Sequence, residues 1–370
     1  MRERAGDFAE LLDLPGVDRL VTGSLMRLPG MRLVRDGRPI PVAEYTRSIR
    51  IGSRRVPETV RPERVLDHFA RGATIVLQAL HRQWPPVGEF CRDLELDLTH
   101  PVQANAYVTP ATSRGFAIHH DTHDVFVIQT HGRKEWRVYP PVIELAGKEQ
   151  RWSGDLGDPG APLLETELSA GDVLYIPRGF PHDAAAREEV SIHVTIGIQA
   201  RTWLDVWRHV MEGAPEHAPF REALTIGFAR DQEGLAAEVA ARLPELTAWL
   251  EKAAGAEAAE AFVEGFWRGR RPALRGQLEQ VARLDALAPG TVLRRRGGAI
   301  LEPRREGEDA VARLGNRWLR MPARCESALR FVAEASGPFT PQALPELDPD
   351  SAVVLCRRLV VEGVLETVDG

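Results

Sequence analysis

Residues 119–139 read HHDTHDVFVIQTHGRKEWRVY, and the fold turns on this stretch. DVFVIQTHG and KEWRVY alternate apolar and polar positions around a tight turn at Gly132 and Arg133, which marks two β-strands. Ahead of them, His119 and Asp121 form a His-x-Asp at what reads as the end of a further strand. Side chains alternate across a strand, so His119 and Asp121 share a face while His120 points away. His123 has the parity of the pair but falls in the turn before DVFVIQ, and Asp124 is a rival carboxylate. A later turn, GDVLYIPRGFPHD, offers His182 just after a rigid Pro177–Pro181 segment. Two imidazoles and one carboxylate on one face of a metal leave positions open for a co-substrate and O₂. That donor set suits non-haem Fe(II).

Working outward, strand signals dominate from residue 102 to 198: VQANAYVT, GFAIHHD, DVFVIQTHG, KEWRVYP, VLYIP and VSIHVTIGIQ. Gly, Pro and Asp turns separate them, with no long helix between, which predicts an all-β barrel or jelly roll. The last strand puts Ser191, His193 and Thr195 on one face and Ile192, Val194 and Ile196 on the other. Asn105, Tyr107 and Thr109 form a similar polar face. Strands of this kind suit a barrel wall that lines a polar pocket. Lys134 and Trp136 share a face just beyond the turn, whereas the parity of Arg133 sets it outside. Lys134 stands out because only it, Lys148 and Lys252 are lysines in a chain whose basic residues are otherwise arginine. A buried lysine offers a point charge to a carboxylate, and Tyr or Thr hydroxyls add neutral hydrogen bonds.

The flanks read differently. Residues 1–64 hold helix-like ELLDL and DRLVTGS patches and Arg-rich extended pieces, MRLVRDG and RSIRIGSRRV. RPERVLDHFARG then predicts a short amphipathic helix, and ATIVLQAL a buried strand entering another helix. Composition changes near residue 201, where TWLDVWRHVMEG, the Ala-rich 235–250 stretch and AEAAEAFVEGFWR are helical. These helices carry Trp203, Trp207, Trp249 and Trp267, more aromatic surface than a peripheral layer needs, so a symmetric dimer is expected. From about 286, TVLRRR and RWLRM return to short strands beside two helices, ARCESALRFVAEA and DSAVVLCRRLVVEG, with a final strand VLETV. Helix, helix and terminal strand resemble a winged helix.

The chain's 370 residues leave room for two or three domains with a well-buried core. A net charge of −6 argues against a whole-protein nucleic-acid or membrane binder. The N-terminal MRERAGDFAELLDL is charged and lacks a signal-peptide apolar region, and no run of 18 apolar residues exists. Cys91, Cys325 and Cys356 lie far apart and read as free thiols in a reducing compartment, so a cytoplasmic protein is expected. Positive charge concentrates between Arg268 and Arg305, which reads chiefly as a solvated surface; RNA or an acidic partner is the other reading.

Taken as a set, GATIVLQ, NAYVTP, GFAIHHDTHDVFVIQTHGRKEWRVY, GDVLYIPRGFPH and SIHVTIGI resemble, in order and spacing, the JmjC-type ribosomal oxygenases of the cupin 4 group. The resemblance covers essentially the whole chain. It implies a double-stranded β-helix (JmjC/cupin jelly roll) with an N-terminal α/β extension over 1–200, a helical dimerisation region over 201–285 and a winged-helix domain over 286–370. It implies His119, Asp121 and His182 as Fe(II) ligands. Lys134, Tyr107 and Thr195 would hold the distal carboxylate of 2-oxoglutarate, with Asn105 near its metal-chelating end. Some bacterial relatives carry Arg where this chain has Lys134, a choice that looks more like the eukaryotic members. The implied activity is that of a 2-oxoglutarate-dependent dioxygenase hydroxylating a protein side chain, Arg or His of a ribosomal protein, in a homodimer that binds neither DNA nor membrane. The alternatives are the same chemistry on a peptide natural-product precursor, a non-catalytic cupin-like binding protein, and a DNA-binding regulator that uses the winged helix.

Overall fold

Gly132 decides the geometry of the quoted stretch. It is the single residue between β7 and β8, has φ +63°, and a Cβ there would sit 2.1 Å from the carbonyl oxygen of Val190. Only glycine permits that approach. The two strands it joins belong to different sheets, so the residue makes a corner rather than a hairpin.

The computed structural model describes residues 8–113, 115–154 and 160–368; the first seven residues of the charged N-terminus lie outside them. The chain divides into two units, Met1–Ala200 and Arg201–Gly370. In the first unit the helices are α1 (Leu14–Thr22), α2 (Pro62–Ala70) and α3 (Pro85–Leu98). The strands, in chain order, are β1 (Met31–Arg35), β2 (Arg38–Pro39), β3 (Thr46–Ile51), β4 (Arg54–Val60), β5 (Thr74–Leu77), β6 (Val102–Thr109), β7 (Asp124–His131) and β8 (Arg133–Val138). They continue with β9 (Leu164–Ser169), β10 (Val173–Ile176), β11 (His182–Ala186) and β12 (Ser191–Ile198).

A seven-stranded sheet runs β10-β7-β12-β6-β5-β1-β2, and a three-stranded sheet runs β11-β8-β9, with every neighbouring pair antiparallel. His119 adds a one-residue bridge to His182 at the edge of the smaller sheet. Two facing antiparallel sheets in this order make the jelly roll expected from the strand spacing.

Strand alternation sorts the interior. One face of β6, β7 and β12 presents Ala104, Ala106, Val108, Ile128, Ile192, Val194 and Ile196 to a core completed by Leu12, Leu33, Tyr45, Leu77 and Val87. The other face carries Val125 and Val127, which pack on Trp136, Val138, Leu168 and Ile176 from the second sheet. The polar faces of β6 and β12 look into this inter-sheet space, as the parity reading anticipates.

Three local readings need correction. GFAIHHD is not a strand; apart from the His119 bridge it runs without regular structure. β11 and β9 were missed, because HDAAA and LETELS contain no run of β-branched or aromatic residues. Pairing on both sides of β8 overrides their weak propensity.

The second unit contains α4 (Trp203–Met211), α5 (Gln232–Ala253), α6 (Ala256–Arg268), α7 (Gln277–Ala282), α8 (Glu326–Glu334) and α9 (Pro349–Val361). Thr202 opens α4 with a reciprocal capping box to Asp205. The strands are β13 (Leu293–Arg295), β14 (Glu302–Glu306), β15 (Asp309–Arg313), β16 (Trp318–Pro322) and β17 (Leu365–Thr367), of which β14 and β15 escaped the sequence reading. β14, β15 and β16 form one meander, and β13 pairs with β17. Their core gathers Leu293, Leu319, Leu329, Val332, Cys356 and Leu359. Among the described residues no helix is long and apolar enough to cross a membrane.

Gly132→Ala should lower stability by at least about 2 kcal/mol, because a left-handed residue and a steric overlap add. Gly52→Ala is the control: φ is +58° there, but nothing lies within 4 Å of the added Cβ. Urea midpoints should separate the two variants clearly. Equal losses would show that the corner can relax away from Val190.

Candidate metal centre

His119 and His182 meet through their own main chains. His182 N–H donates to the His119 carbonyl at 2.8 Å, and His119 N–H donates to the His182 carbonyl at 3.2 Å. Gly179 N–H donates to the Asp121 carbonyl at 2.9 Å, which ties the third residue to the turn before β11. Gly179 itself has φ +86° and leaves no room for a Cβ, which would fall 1.9 Å from the Ile143 carbonyl oxygen. A ladder of backbone contacts thus brings three distant side chains to one point. One ligand atom from each of His119, Asp121 and His182 lies within 4.8 Å of the other two, the one such cluster among the described residues.

Each imidazole is oriented by a carbonyl two residues upstream. His119 Nδ1 lies 2.9 Å from the Ala117 oxygen, and His182 Nδ1 lies 3.0 Å from the Phe180 oxygen. Donation from Nδ1 leaves the Nε2 lone pair of each ring for a metal. His182 Nε2 stands 3.9 Å from Asp121 Oδ2. Burial, and then the neighbouring His119, push the His182 imidazole down to about 4, so it is neutral and able to ligate at physiological pH. Two imidazoles and a carboxylate fit a divalent first-row ion such as Fe(II). Asp124 is excluded as a rival, since its Oδ1 accepts from Tyr175 Oη and Arg178 N. Asp183 also stays outside the cluster, with its oxygens held by Arg137 and Tyr139.

A cleft opens beside the triad and is lined by all three ligands together with Tyr107, Lys134, Trp136, His193 and Thr195. Lys134 is only 3 % exposed. Its Nζ donates to Thr109 Oγ1 at 3.0 Å and stands 3.4 Å from His193 Nδ1, with no carboxylate in ion-pair range among the described residues. Burial alone pulls Lys134 down to about 7. Burial, and then the Lys134 charge, also hold His193 well below its ordinary value, so its neutral ring accepts from the lysine. The His193 ring stacks on Tyr107 at 4.8 Å and meets Trp136 edge-on at 5.2 Å. Burial, and then the Asp121 charge, push Tyr107 up to about 12, which keeps its hydroxyl protonated.

The sequence therefore places six of its seven chosen residues on this cleft: His119, Asp121, His182, Tyr107, Lys134 and Thr195. Asn105 does not line it. Its Oδ1 accepts from Ala79 N at 3.0 Å, and its side chain supports the Tyr107 hydroxyl from outside. The lysine's direct partners, Thr109 and His193, were on the expected polar faces but were not chosen. Register was the missing information, since β12 sets His193 opposite Tyr107 and Thr195 opposite Asn105. Arg32 of β1 also bonds the Tyr107 hydroxyl and lies over the Phe116 ring. No local signal in MRLVRDG connects it with the centre. His120 is buried and bonds the Gln150 carbonyl, and the His123 ring packs on Gly197; neither joins the triad.

Residues 87–206, a segment that contains all three residues of the triad, match the model of the JmjC domain. Among curated proteins it is similar to the bifunctional lysine-specific demethylase and histidyl-hydroxylase NO66 of Dictyostelium discoideum. The two are 36% identical over 172 residues, 44% of this chain and 34% of that protein. It is also similar to human ribosomal oxygenase 1, 38% identical over 177 residues, 45% of this chain and 27% of that protein. The matched segments span about a third or less of the length of these relatives. Among solved structures, the Escherichia coli ribosomal oxygenase YcfD covers 98% of this chain and 92% of its own, at TM-score 0.51 and 20% identity. A second structure of that protein, in complex with cobalt and succinic acid, also matches at TM-score 0.51. At that identity the likeness speaks for the fold.

Titration with Co(II), followed by its visible absorption, should show one ion per chain. His119→Ala, Asp121→Ala and His182→Ala should each abolish tight binding, since two remaining ligands rarely hold a labile ion. His193→Ala should leave metal binding intact. A His182→Ala protein that still bound Co(II) with parental affinity would remove His182 from the centre.

Proposed function

We propose that the protein is an Fe(II)- and 2-oxoglutarate-dependent hydroxylase acting on an Arg or His side chain of a ribosomal protein. The observation that carries this reading is a buried lysine with no carboxylate partner among the described residues, on the same cleft as a His-Asp-His triad. A cation in such a place calls for an anionic ligand, since burying it alone is costly. A dicarboxylate with one end on the metal and the other on Lys134 satisfies both sites at once. The names of the relatives, and the cobalt and succinic acid of the E. coli structure, support the same choice.

O₂ would be the oxidant and bound Fe(II) would activate it: 2-oxoglutarate would give up two electrons and leave as succinate and CO₂, with one oxygen atom entering the succinate carboxylate and the other a substrate C–H bond. The chain's own residues do the rest. His119, Asp121 and His182 would hold the ion beside the cleft. Lys134, with Thr109 behind it, receives the distal carboxylate, and the hydroxyls of Tyr107 and Thr195 complete the polar wall. Val125, Val127 and Trp136 keep the floor apolar and exclude water. A non-catalytic binding module would have no use for an intact triad beside an uncompensated lysine.

Co-substrate binding should take up a proton. Free Lys134 titrates at about 7 against an ordinary 10.5, so the unfolded chain holds more protons between those values and ligand-free stability rises with pH across that window. A bound dianion reverses the preference and raises the lysine. Affinity for 2-oxoglutarate should thus fall roughly fivefold from pH 7 to pH 8. Calorimetry in buffers of different ionisation enthalpy measures the uptake. Lys134→Ala should lose about 3–5 kcal/mol of co-substrate affinity while retaining Co(II). Unchanged affinity would move the distal site away from Lys134.

For the second unit we propose a helical dimerisation region over 201–285 and a winged helix over 286–370, in a cytoplasmic homodimer. Trp203 is 76 % exposed, and Leu204, Trp207 and Met211 extend the same exposed apolar helix. α5 has no buried residue along its whole length. Such surfaces mark partner contacts. Light scattering should give twice the 41.0 kDa chain mass; a value near 41.0 kDa removes the dimer.

A further inference from the structure

The β3–β4 hairpin concentrates positive charge that is largely unpaired among the described residues. Between Tyr45 and Pro57 the sequence holds Arg47, Arg50, Arg54 and Arg55 and no Asp or Glu. The strands pair with each other as a two-stranded ribbon outside both large sheets, and the base of β4 is tied to residues 26–28 by the Thr59–Arg27 bridge and by Val60 N–H donating to the Met26 carbonyl. All four arginines are exposed. Arg50, Arg54 and Arg55 have no hydrogen-bond or ion-pair partner among the described residues, and Gly52 at the tip has open space around it.

The register makes this arrangement costly. Arg50 stands directly opposite Arg55, and like charges facing each other across a ladder destabilise it. Beyond its tied base, a two-stranded ribbon has little stability to spare. Protecting an exposed strand edge from aggregation needs one charge of either sign, not a row of a single sign.

The basic stretch at 268–305 behaves in the opposite way. There Arg294 and Arg296 pair with Glu366, Arg304 with Glu306, and Arg305 with Glu326. Those charges are satisfied within the fold. Those of Arg50, Arg54 and Arg55 have no such partner among the described residues.

We propose that the β3–β4 ribbon is an arm that binds the phosphate backbone of RNA. Arginine forks match phosphate oxygens in pairs, and a ribbon with guanidinium groups on both faces can lie along a polyanion. The tip offers Ser48, Gly52 and Ser53 but no Asn or Gln to read base edges, so the contact is with backbone and not with sequence. The choice of RNA over DNA rests on the ribosomal reading given above; the phosphate contact does not.

The test uses the full chain, a fluorescein-labelled oligouridine and anisotropy across a range of KCl concentrations. The parent should bind with log affinity falling linearly against log salt. Replacing Arg50, Arg54 and Arg55 together by Ala should make that slope shallower by about 2 and weaken binding at least about tenfold. The same three positions changed to Lys should keep the slope, because the charge count is unchanged. These side chains are exposed, so a melting temperature close to the parent's is expected, and 2-oxoglutarate turnover should persist in both variants. Parental slope and affinity in the Ala variant, or a collapsed slope in the Lys variant, overturn the proposal. So does tighter binding to duplex DNA, or equal binding to polyglutamate, which would point to an acidic protein. Loss of turnover in the parent would instead count against the hydroxylase reading and leave the RNA slope unaffected.

Discussion

The site depends on the pair of main-chain hydrogen bonds between His119 and His182. Neither residue lies inside a long strand, and the chain between them passes through both sheets. The bridge is the last contact the smaller sheet makes at its edge. It converts sheet closure into ligand geometry: if β11 pairs with β8 in register, His182 arrives opposite His119 without further adjustment. Gly179 and Gly132, each with a positive φ and a carbonyl against its Cα, are the two points where that closure would fail with any other residue.

Electrostatics then divides the cleft into two ends. At the metal end, burial and mutual proximity keep His182 neutral beside the Asp121 carboxylate. At the far end, the same burial acts on Lys134, whose nearest polar neighbours are both uncharged, a threonine hydroxyl and a neutral imidazole. Desolvation drives both perturbations, yet it yields a ready ligand at one end and a cation short of an anion at the other.

Much of this was legible in the residues. Period-two alternation assigned β6, β7, β8 and β12 and put Tyr107, Thr195, Lys134 and Trp136 on the interior face, because a strand allows only two faces. His119 and Asp121 were found by the same parity, although the segment proved to be a bridge and not a strand; two residues of extended chain were enough to keep them together. What escaped was information held in pairing. Which interior residue meets which depends on the offset between β12 and β6, so Thr109 and His193 as the lysine's partners could not be read locally. Asn105 shares the parity of Tyr107 but is drawn aside by the Ala79 amide, a contact from another part of the chain. β11, an alanine-rich segment, is a strand only because β8 is there to receive it.

The upstream carbonyls that hold His119 and His182 carry a further consequence. Each ring is aimed by its own short peptide segment, through Ala117 and Phe180, so its orientation is set by the backbone and not by the ion. Little reorganisation then accompanies filling or emptying of the centre, and little of it can discriminate among ions of similar size. Nickel, cobalt and zinc would compete on affinity, where the ordinary ranking of divalent ions places them above ferrous iron. Selection of iron by such a centre falls to the supply of metals around the protein and to the speed of exchange, not to the shape of the pocket.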